Sequence, residues 1–179
     1  LSANQNHADA QNNLGVLYSK GKLIPRDMNK SIHYFSLAAN QNHAKAQFIL
    51  GILYISFKVI DKAIKYFKLA AYQNNKESLF ILALFSLTGL YINKNPFNGI
   101  EYLNQCLDIE SQYFIYSNFI IGYFYHIGLY VKQDIKKAIK CYKEASSFNH
   151  SLSKNNLGII YKHGIDQEVE KEIGWAIEY

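Results

Sequence analysis

Residues 37–51, LAANQNHAKAQFILG, rewrite residues 1–15, LSANQNHADAQNNLG, with eleven of the fifteen letters unchanged. Self-similarity at a fixed period marks a repeat architecture and settles the fold before local propensity is consulted. Extended along the chain, the pattern aligns on Gly15, Gly51, Ala83, Gly122 and Gly158, at successive steps of 36, 32, 39 and 36 residues. Three residues beyond the anchor stand Tyr18, Tyr54, Tyr125 and Tyr161, with Ser86 as the exception. Three further on come Gly21, Gly89, Gly128 and Gly164.

A second segment follows in each unit: KSIHYFSLAA, KAIKYFKLAA and KAIKCYKEAS, with NGIEYLNQCL as a divergent copy. In the first, Ser31, Tyr34, Phe35 and Ala38 fall at i, i+3, i+4 and i+7, one stripe of a helix. Each unit is therefore expected to be two helices joined by a turn. Glycine inside a helix costs about 1 kcal/mol relative to alanine, so the anchors require a closely approaching partner helix in compensation. Asp27, Asp134 and Asn95 suit N-caps of the second helices, and Pro96 suits the first helical position. Asn6, Asn42, Asn74 and Asn149 sit where those helices should end in a left-handed residue. The second unit departs, because its connecting turn is four residues shorter than that of the first.

At 179 residues, 49% of them hydrophobic and 18% charged, the chain suits one domain and excludes general disorder. Its net charge of +5 comes from lysines scattered singly, without the dense basic run of a nucleic-acid reader, so no nucleic-acid partner is expected. Two cysteines, Cys106 and Cys141, cannot form a disulfide framework, which favours a thiol-reducing, cytoplasmic type of compartment. Residues 111–131 carry no charge, yet Ser111, Gln112, Ser117, Asn118, His126 and five tyrosines make them a poor hydrocarbon span. No membrane insertion is expected.

The stretch NHAKAQFILGILY, followed by a turn, Asp61 and KAIKYFKLAA, resembles the Sel-1-like repeat, a relative of the tetratricopeptide repeat. The resemblance covers the chain in about five units, 8–43, 44–75, 76–110, 111–150 and 151–179, with 1–7 as the tail of a preceding repeat. It implies an all-α fold, a right-handed α/α superhelical solenoid of stacked antiparallel helix pairs. The chain opens and stops partway through a second helix, so a piece of a longer array is expected. The resemblance further implies a non-catalytic scaffold or adaptor for a protein or peptide partner. Alternatives of the same lineage are a regulatory repeat segment of a larger enzyme, such as a protein kinase, and a luminal adaptor of endoplasmic reticulum quality control.

No constellation for catalysis, cofactor binding or metal binding emerges. His7, His43 and His150 each stand eight residues before an anchor, too far apart in different units to share an ion. The Ser-x-x-Lys matches at Ser19–Lys22 and Ser151–Lys154 lack their companion motifs. Asn29 and Asn149 begin glycosylation triplets that matter only in a secretory compartment, and Asn95-Pro96-Phe97 matches a short endocytic peptide. Transfer of the groove-facing positions of the tetratricopeptide relatives selects Phe48, Ile52, Phe80, Leu84, Phe119 and Tyr123 as the candidate partner-binding strip. Asn12, Val16, Asn155 and Ile159 hold the same positions in the outer units. The competing expectation is that these rings are buried between repeats.

Overall fold

In the computed structural model, which describes residues 7–162, three of the anchors predicted as seams, Gly15, Gly51 and Gly122, lie where a ring of the facing helix closes on the backbone, and Gly158 does not. A Cβ added to Gly15 would lie 2.6 Å from the Phe35 ring, one added to Gly51 2.5 Å from Phe67, and one added to Gly122 3.0 Å from Tyr142. Phe35, Phe67 and Tyr142 hold one register position in the first, second and fourth copies of the second segment, and all are buried. The missing side chain thus makes room for a ring, and burial of that ring offsets the helix penalty of glycine. Nothing lies within 4 Å of a Cβ placed on Gly158.

Every element among the described residues is a helix. The chain falls into two compact units, Leu1–Asn93 and Lys94–Tyr179. The first holds α1 (Ala8–Lys20), α2 (Met28–Asn40), α3 (Ala44–Ser56), α4 (Ile60–Tyr72) and α5 (Lys76–Thr88). The second holds α6 (Pro96–Gln105), α7 (Tyr113–Ile127), α8 (Ile135–Ser146) and α9 (Ser151–Lys162). Within the units α1 packs on α2, α3 on α4 and α7 on α8, while α2–α3, α4–α5 and α8–α9 join one pair to the next. One core cluster of the first unit gathers Phe35, Ala38, Ala39, Ala46 and Leu50, and one of the second gathers Ala138, Ile139, Tyr142, Leu157 and Ile160.

The caps follow from the residue types. Asp27, Asn95 and Asp134 accept from the backbone N–H groups of Lys30, Asn98 and Lys137 at 3.0, 3.1 and 2.9 Å. Asn42, Asn74 and Asn149 take φ of 60, 61 and 62°, ending the hairpins in the left-handed conformation. Gly21, Gly89 and Gly128 end α1, α5 and α7 in the same way. The short second turn has no such glycine, and Lys58 takes φ 60° there, while Val59 starts α4 without a side-chain cap. Asn6 and Gly164 lie outside the described residues.

The anchor+3 tyrosines close each hairpin at its turn. Tyr18 stacks on Tyr34 with centroids 5.7 Å apart, and Tyr54 stacks on Tyr66 at 5.6 Å. Lys30, Lys62 and Lys137 place their ammonium groups 5.3, 5.4 and 5.2 Å from the ring centres of Tyr18, Tyr54 and Tyr125. Such cation–π contacts each contribute about 0.5–1 kcal/mol at exposed sites. In the fourth copy Cys141 replaces the stacking tyrosine, and burial raises its thiol pKa.

Candidate partner-binding surface

Only side chains that the fold leaves exposed are free to bind a partner. At the position after the anchor, Ile52 is 43% exposed, Leu84 37% and Tyr123 43%. Phe48, Phe80 and Phe119, three residues before it, are half-buried. Phe48 leans on Phe67 with centroids 6.1 Å apart. Phe119 lies 6.2 Å from Tyr142 and 4.8 Å from the His150 ring. Phe48 therefore supports its own hairpin, and Phe119 both its own and the start of α9, so each shows a partner only part of its ring.

The first unit carries Phe48 and Ile52 on α3 and Phe80 and Leu84 on α5, the two helices that flank α4. The second carries Phe119 and Tyr123 on α7. On α7 the stripe runs further than the transferred positions, because Tyr116 and Ile127 are 52% and 46% exposed. Tyr116, Phe119, Tyr123 and Ile127 fall at i, i+3, i+7 and i+11, so the same helical period extended one turn each way finds the two that were missed. In the outer units Asn12 is buried and Val16 half-buried, whereas Asn155 and Ile159 are exposed.

The other motifs resolve into structure. The imidazoles of His7, His43 and His150 cap first helices, their Nδ1 atoms accepting from the backbone N–H groups of Ala10, Ala46 and Ser153 at 3.4, 3.0 and 3.3 Å. Asn75 does the same for Ser78 at 2.9 Å. His43 also meets the Asp9 carboxylate through Nε2 at 3.1 Å, which fixes its tautomer. Burial lowers the pKa values of His126 and His150 and pushes Tyr142 up to about 12. Ser19 donates to the Val16 carbonyl at 2.8 Å, and Lys154 donates to Asn149 at 3.0 Å. Both Ser-x-x-Lys matches are thus occupied in local bonds. Asn29 is exposed while Ser31 is buried, donating to the Gly15 carbonyl at 2.8 Å. Asn95 caps α6 and Pro96 opens it, leaving Phe97 75% exposed. Among the described residues no three His, Cys, Asp or Glu side chains group to hold a metal ion.

The profile of the Sel1 repeat matches residues 8–43, 44–75, 76–105, 115–147 and 151–179. The chain belongs to the Sel1 repeat family. Its fold is similar to that of a protective antigen of uropathogenic Escherichia coli displaying an SLR fold. That likeness has a TM-score of 0.80 and 23% identity, over 90% of this chain and 35% of that one. It is also similar to a Sel1 repeat protein from Oxalobacter formigenes, with a TM-score of 0.79 and 25% identity, over 88% of this chain and 65% of that one. The chain thus spans about a third of the first relative and just under two thirds of the second. No match was found among curated proteins. The expected all-α helical-repeat fold class is the one observed. Sel1 repeat proteins are generally protein–protein interaction scaffolds and typically non-catalytic. No described helix is long and apolar enough to cross a membrane. The uncharged stretch around α7 forms a helix of 15 residues, about 22 Å against a core of about 30 Å.

Proposed function

We propose that this chain is a non-catalytic adaptor that holds a partner protein on the apolar stripes that the first helices carry within each unit. One stripe comprises Phe48, Ile52, Phe80 and Leu84 in the first unit, and another comprises Phe119 and Tyr123 in the second. The observation that supports it is the repeated exposure of Ile52, Leu84 and Tyr123 at one register position. A helix face turned to water ordinarily carries polar residues, and a fold that needed none of these side chains would tolerate polar ones there. A partner helix or extended segment laid along either stripe would cover its exposed members.

The exposed position, not the half-buried phenylalanines, is the one to change. Peptides selected from a displayed library on the intact protein should lose most of their affinity for Ile52→Ser/Leu84→Ser or for Tyr123→Ser, with helical circular dichroism unchanged. Selected peptides that bind all three proteins equally would place the docking site elsewhere. Unfolding of the variants would make these side chains part of the core.

A further inference from the structure

Helix α4 departs from its own repeat on the outer face. With Phe35, Phe67, Leu103 and Tyr142 in register, the position of Tyr72 is Asn40, Asp108 and Ser147 in the other copies. That of Leu69 is Leu37, Gln105 and Glu144, and that of Lys68 is Ser36, Asn104 and Lys143. Repeats serve as internal controls: Leu69 recurs as Leu37 and Lys68 as Lys143, whereas Tyr72 has no counterpart in another copy and is free for another use. Tyr72 is 93% exposed and Leu69 40%, so neither contributes appreciably to the core. Together with Asp61, Ile64, Lys65 and Lys68, all on α4, they form one open face of the helix. Lys65 and Lys68 have no ion-pair partner among the described residues. Residues 1–93 carry ten Lys and Arg against four Asp and Glu.

We propose that the outer face of α4 is a second docking surface, which takes an acidic amphipathic helix of a partner protein. The partner's apolar row packs on Leu69 and Tyr72, and its carboxylates meet Lys65 and Lys68. Charge selects this occupant, since the basic excess of the first unit repels both a basic partner and the same face of a second copy. The pitch selects a helix: Ile64, Lys68 and Tyr72 repeat at i, i+4 and i+8, over about 12 Å, and present a ridge that a neighbouring helix can straddle. This surface is separate from the stripe of Ile52 and Leu84, so either can fail alone.

The test uses the whole chain and two synthetic helical peptides of about 20 residues, sharing a leucine stripe flanked by glutamates in one and by lysines in the other. Fluorescence anisotropy should show the glutamate peptide binding at least about tenfold tighter, with affinity falling as salt rises. Lys65→Glu/Lys68→Glu and Tyr72→Ser should each weaken it by about tenfold or more, and Ile52→Ser/Leu84→Ser should leave it unchanged. The proposal is overturned by absence of binding, by equal binding of both peptides, or by loss in the Ile52/Leu84 variant alone. It is equally overturned if light scattering finds a dimer that Tyr72→Ser disperses, or if circular dichroism shows that either α4 variant unfolds.

Discussion

Gly51→Ala sets two well-separated effects against each other. Helix propensity alone favours alanine by about 1 kcal/mol. Against it, the new methyl would lie 2.5, 2.7 and 2.9 Å from Cε1, Cδ1 and Cζ of Phe67, where carbon atoms ordinarily approach to about 3.5–4.0 Å. The ring must shift by about 1 Å to restore that spacing. It is fully buried and held by Phe48 on one side and, edge-on at 6.2 Å, by Phe85 on the other. Overpacking of one methyl costs about 1–3 kcal/mol, and three ring atoms struck at once place this site at the upper end. The net loss is about 2 kcal/mol, roughly a thirtyfold drop in amide protection across α3 and α4, read by hydrogen exchange. Phe67→Leu should relieve part of it, since the third copy already carries Ala83 as anchor and Leu103 at the ring position. The double variant should therefore be less destabilised than the sum of the singles by about 1 kcal/mol. Increased protection in Gly51→Ala, or strict additivity with Phe67→Leu, would refute the seam.

Cys141→Tyr restores the tyrosine found at positions 34 and 66 and should stack on Tyr125, stabilising the second unit by about 0.5–1.5 kcal/mol; no gain in its urea midpoint would deny the equivalence. Burial lowers the pKa values of His126 and His150 from 6.5, so the native second unit prefers neutral rings. Its stability is full above that pH and is lost as pH falls towards the lower folded values. His150→Asn, which keeps a cap of the Asn75 type, should flatten part of this dependence between pH 7.5 and 5.5, and an unchanged profile would discount His150. Gln47→Ala empties a fully buried side-chain site and removes the bond to the Ala39 carbonyl, and should cost about 2–3 kcal/mol in urea denaturation, more than Gln73→Ala at the exposed end of its other bond; equal losses would remove any role for the buried end.

The period, the two helices per unit, the aspartate and asparagine caps and the glycine seams were all legible because each is a local rule written several times. At Gly15, Gly51 and Gly122 a closely approaching helix could be expected in advance, but not the ring that fills each gap, since the partner lies one helix away. The equivalence of the three histidines was legible from their spacing to the anchors, but their capping role was not, because Nδ1 is an uncommon acceptor for a helix N-terminus beside Ser, Thr, Asp and Asn. Phe48 and Phe119 illustrate the main gap. Period places them on the inner stripe, but only three-dimensional packing shows how much of each ring the neighbouring Phe67 and Tyr142 cover. Tyr91 and Tyr130 were equally silent, with φ of 66 and 64°, a conformation costly for a bulky residue. Their rings pack edge-on against Phe85 and Phe124 at 5.2 and 5.4 Å, contacts that hold the turns in place.

The repeated NQNHAxAQ phrase is also a device for setting register in the first unit. Apolar contact between α2 and α3 is non-directional, and a helix displaced by one turn would still bury alanine and leucine. The buried amide of Gln47 allows no such freedom. It donates to the Ala39 carbonyl of the preceding hairpin at 3.1 Å and accepts from Gln73 of its own hairpin at 2.7 Å. Gln11 accepts from Gln41 in the same way at 2.6 Å. A slipped hairpin would keep most of its apolar burial yet leave a buried amide unpaired, at about 1–3 kcal/mol per lost partner. Hairpins therefore stick through their apolar faces and are aligned through glutamine. In the third copy Leu79 takes this position, so directional alignment there falls to other groups. The strictest spelling is accordingly found where one hairpin must find its exact place on the last.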